Sequence, residues 1–432
     1  MDFLLSILNI RIEFILFALI LIGVAVFHNK TFWVALIGLS VILIYKLIFD
    51  NGFNTFEHFF GKDYSFFQQL TNKELRQGEW SILLNLFGLL LGFAVLARIF
   101  RDSGMPELIT KFLPSDWKAP FILLVFVFIL SAFLDNIAAA MIGGAIALVV
   151  FNNKVHVGYI AAIVAASNAG GAGSVLGDTT TTMMWIDGVS AFNVFHAYVA
   201  AIVAMLFFGW FASHQQHKYQ HIRHRFKERH NIDWKKITII IFILAGAIFG
   251  NVLFDMPAVG VWAAILTGIT FTKIPWNEIS NAIKGTIFLL CLVTCASLMP
   301  IETLPGASWV SAFIMGFASA VFDNIPLTKL CLEQGHFDWG MLAYTVGFGG
   351  SMLWFGSSAG VAITNEFPEA RNVIEWIKKG WHVIVAYILG FFALYLLLGW
   401  EPSSNKKHAK PAINCKAEKC IVAEKAKNKS QK

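Results

Sequence analysis

Two short stretches of the sequence put the same chemistry in the same local frame. SAFLDNI, from Ser131 to Ile137, and SAVFDNI, from Ser319 to Ile325, each set an Asp-Asn pair inside a run of apolar residues. The pairs are Asp135-Asn136 and Asp323-Asn324. A carboxylate at bilayer depth is costly and normally faces a pocket or a partner. Desolvation favours the neutral acid, so such a group can hold a proton and release it when a cation arrives. The neighbouring amide oxygen suits a hard cation, which prefers oxygen ligands. Asp is also a favoured helix N-cap, and Asn can satisfy nearby backbone groups, so a structural role stands open to each residue beside the chemical one.

Each pair is followed by a glycine-punctuated segment: NAGGAGSVLGDTTTTMMWI from Asn168, and GFGGSMLWFGSSAGVAITN from Gly347. Aligning Gly170-Gly171 with Gly349-Gly350 brings Gly177 onto Gly356. Polar groups at membrane depth need backbone freed by a broken helix, and glycine permits both the break and a close approach of chains. The ends of such half-helices present positive N-termini and carbonyl-rich C-termini to an ion. After the break come Asp178 and the run Thr179 to Thr182 in the first half, and Ser357 and Ser358 in the second. These complete a cation site, or Asp178 caps the next helix while the threonines bond back into the turn. The halves are unlike here, since only the first carries an acid.

The elements that must position these groups are transmembrane helices. Of 432 residues, 57% are hydrophobic, 15% aromatic and only 14% charged, with a mean hydropathy of +0.65. That composition excludes a soluble domain and predicts an integral, all-α polytopic membrane protein. Apolar runs lie at 12–27, 32–49, 80–100, 119–151, 156–190, 191–212, 237–254, 257–272, 286–322, 325–360 and 381–399. Several are interrupted, which predicts about 10–13 crossings, and continuous rather than alternating runs predict helices, not a barrel. No cleavable leader is expected, because Arg11 and Glu13 interrupt the first run.

Three segments are polar. Residues 50–79 read as an amphipathic surface connector. Residues 213–236 form a basic, histidine-rich loop that the positive-inside rule puts in the cytoplasm. The Lys-rich tail, 401–432, reads as disordered. The sequence thus divides into 1–79 (N-terminal helices and connector), 80–212 (first repeat), 213–236 (loop), 237–400 (second repeat) and 401–432 (tail).

The remaining polar residues read as structural. Lys329 is expected to snorkel to the interface, with neutralisation of a carboxylate as its other role. Asp187, Glu366, Glu369 and Arg371 sit beside turns and are expected to be solvated. Ser131 and Ser319 should bond backbone near the tips, and Pro326 should shape a turn. His156, His196 and His382 read as packing or interface groups, and Cys291, Cys295 and Cys331 as small packing residues. Cys415 and Cys420 lack partners at zinc-ligand spacing. There is no H-E-x-x-H, G-x-S-x-G or P-loop motif, so neither a resident metal, a cofactor, a nucleic-acid partner nor an enzyme is expected.

The motifs Ser131–Asn136, Asn168–Ile186, Ser319–Leu327 and Gly349–Ala362 resemble those of the NhaD-type sodium/proton antiporters. The wider ion transporter superfamily also holds arsenite, citrate and sodium/dicarboxylate carriers. The resemblance implies two inverted repeats, each with a re-entrant hairpin tipped by Asp-Asn and a discontinuous helix unwound at its glycines. It implies exchange of sodium or lithium for protons in a bacterial inner membrane, and leaves a homodimer open. Asp135, Asn136, Asp178, Thr179, Asp323, Asn324, Ser357 and Ser358 become the candidate cation and proton groups. The alternative is a carboxylate or arsenite carrier of the same fold. Inverted repeats put the basic loop and the tail on opposite faces, whereas the positive-inside rule puts both in the cytoplasm.

Overall fold

In the computed structural model, residues 11–27, 30–50, 52–105, 113–222, 232–300, 304 and 306–403 are described. Part of the basic loop and nearly all of the tail fall outside them. The described residues hold helices and short 3-10 turns and no strand. Helices α1 (Ile12–Val26) and α2 (Thr31–Phe49) lead into a connector with two short helices, α3 (Thr55–Phe60) and α4 (Phe66–Thr71), and then α5 (Trp80–Arg101). A hairpin follows, α6 (Lys118–Ser131) and α7 (Asn136–Val150), then a broken helix, α8 (Val157–Ala172) and α9 (Thr179–Ile186). The short α10 (Ala191–Phe195) and the long α11 (Ala197–Tyr219) close the first half.

The second half repeats this order. It begins with α12 (Trp234–Phe254), α13 (Pro257–Gly268) and α14 (Asn277–Ser297). A second hairpin, α15 (Trp309–Val321) and α16 (Asn324–Gln334), precedes a second broken helix, α17 (Trp339–Gly349) and α18 (Ser358–Glu366). The chain leaves through α19 (Val373–Lys379) and α20 (Trp381–Leu398). Six helices are long and apolar enough to cross a membrane by themselves: α2, α5, α10 with α11, α12, α14 and α20. With α1, α13 and the two broken helices they make ten crossings among the described residues. Exposed Leu19, Ile37, Phe249, Leu253, Leu396 and Leu397 give the molecule the apolar exterior of an integral membrane protein.

Contacts at helix ends define two faces. Asp233 and Lys236 bond to the carbonyls of Ser103 and Asp102, while Gln216 accepts from His156 N and donates to the Lys154 carbonyl. His214 stacks on Trp117. These residues mark the end that carries the basic loop. At the other end Ser403 binds the Phe337 carbonyl, Glu401 N donates to Asp338, and Trp309 lies on Tyr395. The first hairpin enters at Lys118 and leaves at Asn152, both at the basic end. The second enters at Trp309 and leaves at Gly335, at the opposite end. The two hairpins thus enter the bundle from opposite ends. The apolar run 119–151 resolves into this hairpin, and 286–322 holds the end of α14 and all of α15. The conflict over the tail is resolved too: residues 401–403 lie opposite the basic loop.

The repeat reaches further back than its motifs. α2 packs on α14 and α13 packs on α5, so each half's second helix supports the other half's third. Likewise α9 packs on α16 and α18 on α7, while α8 meets α17. Glycines make the crossings possible. A methyl at Gly170 would collide with the Phe128 carbonyl, and one at Gly349 with the Gly316 carbonyl. Phe128 and Gly316 each stand seven residues before a tip aspartate. Gly177 and Gly356 abut the carbonyls of Ser131 and Ala320, and Gly171 and Gly350 abut those of Gly177 and Gly356. Gly170→Ala and Gly349→Ala should each cost about 1–3 kcal/mol by overpacking. The measurement is the melting temperature in detergent. Gly285→Ala, with open space at its Cβ, should leave it unchanged or raise it.

Candidate functional site

The two tips and the two breaks meet at the centre of the bundle, so four helix N-termini and four C-termini converge there. Three N-termini are capped by carboxylates. Asp135 accepts from Ile137 N at 3.3 Å, Asp323 from Ile325 N at 3.0 Å and Asp178 from Thr180 N at 3.1 Å. Ser357 caps the fourth, accepting from Gly360 N at 3.2 Å. The capping and chemical roles coexist, because each cap occupies one carboxylate oxygen. The second oxygen of Asp323 accepts from the Ser358 hydroxyl at 3.2 Å. The alignment of Gly177 on Gly356 pairs Asp178 with Ser357, and each caps the helix after its break.

Asp178 breaks the symmetry. It is buried, it lies within electrostatic reach of both Asp135 and Asp323, and its Oδ2 makes no hydrogen bond. That oxygen lies 3.4 Å from where a Cβ on Gly347 would sit. The equivalent position in the first half, two residues before the glycine pair, is Asn168. Asn168 holds the centre together: it accepts from Asn136 Nδ2 at 3.1 Å and donates to Ser351 Oγ at 2.9 Å and Ser357 Oγ at 3.1 Å. Asn136 is thus satisfied, whereas Asn324 Nδ2 is buried without a partner. Asp178 Oδ2 from the first half and Asn324 Nδ2 from the second stay without a hydrogen bond, each at a cost of about 1–3 kcal/mol if nothing else reaches it. Thr181 and Thr182 take the structural role instead, donating to the carbonyls of Ser174 and Val175.

Charge decides what the centre favours. Helix ends carry about half a charge each, and four positive ends against four negative ones cancel. The three carboxylates are left over. Lys329, the nearest cation in sequence to Asp323, pairs with Glu79 at 2.7 Å and with Glu333 instead. A cleft of about 360 Å³ between α5, α7 and α14 runs from Arg101 and Glu278 at the basic end to Asp135 and Ser358. Among the described residues no group of three or more metal-ligating side chains forms a resident metal centre.

Several expectations change. Lys329 does not snorkel: it is fully buried, held by carboxylates from distant segments. Asp187 is buried rather than solvated, because the end of α9 packs under α16. Ser319 bonds the Val346 carbonyl of α17, and Ser131 makes no hydrogen bond, so neither serves the tip backbone. Pro326 falls in the first turn of α16, where a missing N–H costs nothing. Asn168 and Ser351 were not among the sequence candidates. Asn168 carried the same signal as Asn136, an amide inside an apolar run, but stood in the shadow of the glycines that follow it.

Residues 7–347 match the citrate transporter family. The chain belongs to that family. It is also similar to the Na(+)/H(+) antiporter NhaD of Alkalimonas amylolytica, 26% identical over 321 residues, which cover 60% of this chain and 65% of that protein. Sodium/proton antiporter 1 of Arabidopsis thaliana is 25% identical over 54% of this chain and 48% of its own length. NhaD of Vibrio cholerae is 24% identical over 63% of this chain and 69% of its own. The matched part thus spans less than two thirds of the first two relatives.

In this citrate transporter family member, Asn168 is, among the described residues, the one side chain whose hydrogen bonds reach both halves at the centre. Asn168→Ala should strand Asn136, Ser351 and Ser357 and lower stability by about 1–3 kcal/mol. Thermal unfolding in detergent checks this, and Asn168→Asp, which keeps an acceptor for Asn136, should recover part of the loss.

Proposed function

We propose that the protein is a secondary antiporter exchanging sodium or lithium for protons; the names of its relatives support sodium/proton exchange. The observation that carries the reading is the meeting of Asp135, Asp178 and Asp323 at the centre with no lysine or arginine among them, within the described residues; Asp178 is buried and the two tip acids are half-buried. Three ionised carboxylates within electrostatic reach of one another repel, so protons or a cation must balance them. Asp135, Asp178 and Asp323 carry the exchange, with Thr179, Ser358, Asn136, Asn324 and Ser357 supplying neutral oxygens. Asp178, whose Oδ2 makes no hydrogen bond, binds the cation. Asp135 is the group the cleft makes accessible from the basic end.

With the basic loop in the cytoplasm, the cleft faces inward and the connector lies outside. Sodium loads at Asp135 from within, protons return from outside, and the same reading sets the protein in a bacterial inner membrane. If more protons enter than cations leave, each net charge gains about 2.3 kcal/mol per 100 mV.

The family description favours a second reading, a citrate carrier. A carboxylate substrate would have to sit beside three carboxylates, which the charge balance disfavours. Everted vesicles with a pH-sensitive dye separate the two. Sodium or lithium should move protons, and Asp135→Asn, Asp178→Asn and Asp323→Asn should each lower the rate at least about tenfold, which is about 1.4 kcal/mol. Citrate-driven proton movement that sodium does not reproduce would reverse the assignment.

A further inference from the structure

The end opposite the basic loop is closed by a buried charge cluster that the cation site does not use. Lys329 Nζ, on α16, pairs with Glu79 Oε2 at 2.7 Å, at the start of α5, and with Glu333 one turn further along α16. Asp187, at the end of α9, faces the same ammonium. Among the described residues, three carboxylates face this one lysine. The next cation, Lys46 on α2, is paired with Asp50 at 3.4 Å. His58, from the connector, faces Glu79, Lys329 and Lys46 and bonds Ser297 Oγ at 3.1 Å. Burial holds its imidazole below the usual range despite the pull of Glu79, so it adds no positive charge at neutral pH. An excess of carboxylate in a low-dielectric site binds a proton. The Glu79 and Glu333 side chains are 13% and 17% exposed, which gives that proton an exchange path to water at this end, while Lys329 has none.

A second observation comes from comparing the repeats. α16 lies along α14, where Leu330 shares an apolar cluster with Cys291, Leu292 and Cys295. Its counterpart α7 stands off from α5 across the cleft. Lys329 is six residues after Asp323, and the residue six after Asp135 is Met141, which lines the cleft. The hairpin with the ion cluster is shut, and the hairpin without it is open.

We propose that Glu79, Glu333 and Asp187 around Lys329 form a second proton-binding site, separate from the hairpin tips, whose protonation releases the second hairpin from α5 and opens the face opposite the basic loop. Its part in transport rests on the exchange reading above; the gate itself does not. With Glu79 and Glu333 ionised, both hold Lys329 and tie α16 to α5. With Glu79 protonated, the link between scaffold and hairpin loses its charge. A proton arriving from that face thus opens the face it came from.

Cys295, fully buried beneath the second hairpin, is the reporter. The full chain carries Cys291→Ala, Cys331→Ala, Cys415→Ser and Cys420→Ser, so that only Cys295 reacts with a charged maleimide, in sodium-free buffer. Glu79→Gln copies the protonated state, and the readout is its labelling rate divided by that of the parent at the same pH. The ratio should be about tenfold near pH 9, the effect of about one pKa unit of differential binding, and fall toward one near pH 6. A ratio of one throughout overturns the gate, and a ratio raised equally at every pH overturns the proton site and leaves a structural latch. Glu333→Gln carries the same prediction should Glu79→Gln fail to give monodisperse protein. Sodium-driven proton exchange measured on the same preparations separates the two claims, since its absence with the pH-dependent ratio intact rejects antiport and keeps the gate.

Discussion

A carboxylate at membrane depth is tolerable only where something answers it, and here the answer is the backbone. Asp135, Asp178 and Asp323 each cap a helix that starts in the middle of the molecule. Those starts exist because two hairpins turn back and two helices break. The breaks require glycine, because the hairpin carbonyls lie against Gly170, Gly177, Gly349 and Gly356. The chain of dependence therefore runs from four glycine contacts to four free helix ends, and from these to the three acids at the centre. The second hairpin brings its tip to the same centre from the other end of the bundle.

The duplicated frame leaves room for difference. Asp178 stands where the second half has Ser357, and Asn168 stands where it has Gly347. The first difference adds charge and the second ties the halves together, while Asp178 Oδ2 and Asn324 Nδ2, one from each half, stay without a hydrogen bond. A similar inequality holds at the periphery. Lys329 ties one hairpin down, and Met141 leaves the other free beside an open cleft.

Much of this was legible in the sequence because it is local. The Asp-Asn tips, the order of glycines and the polar residues after each break are short patterns that a sequence alignment of the two halves can see. Long apolar runs gave the helices, though not where 119–151 turns back. What escaped was relational. Nothing near Lys329 announces Glu79, which is 250 residues away in sequence and adjacent in space. The equivalence of α1 and α2 with α12 and α13 leaves no motif, since lipid-facing helices need only be apolar. Asn168 lies within a motif, but its role depends on Ser351 and Ser357 from the other half, which no local pattern shows.

The central claim is that a cation displaces protons from acids buried at the meeting of the two repeats. Calorimetric titration of sodium into the detergent-solubilised protein, repeated in buffers of different ionisation enthalpy, counts the protons released per ion bound. The account predicts release of at least about one proton near neutral pH, abolished or reduced when Asp135, Asp178 or Asp323 is replaced by asparagine. Sodium binding with no proton released in any buffer would contradict it.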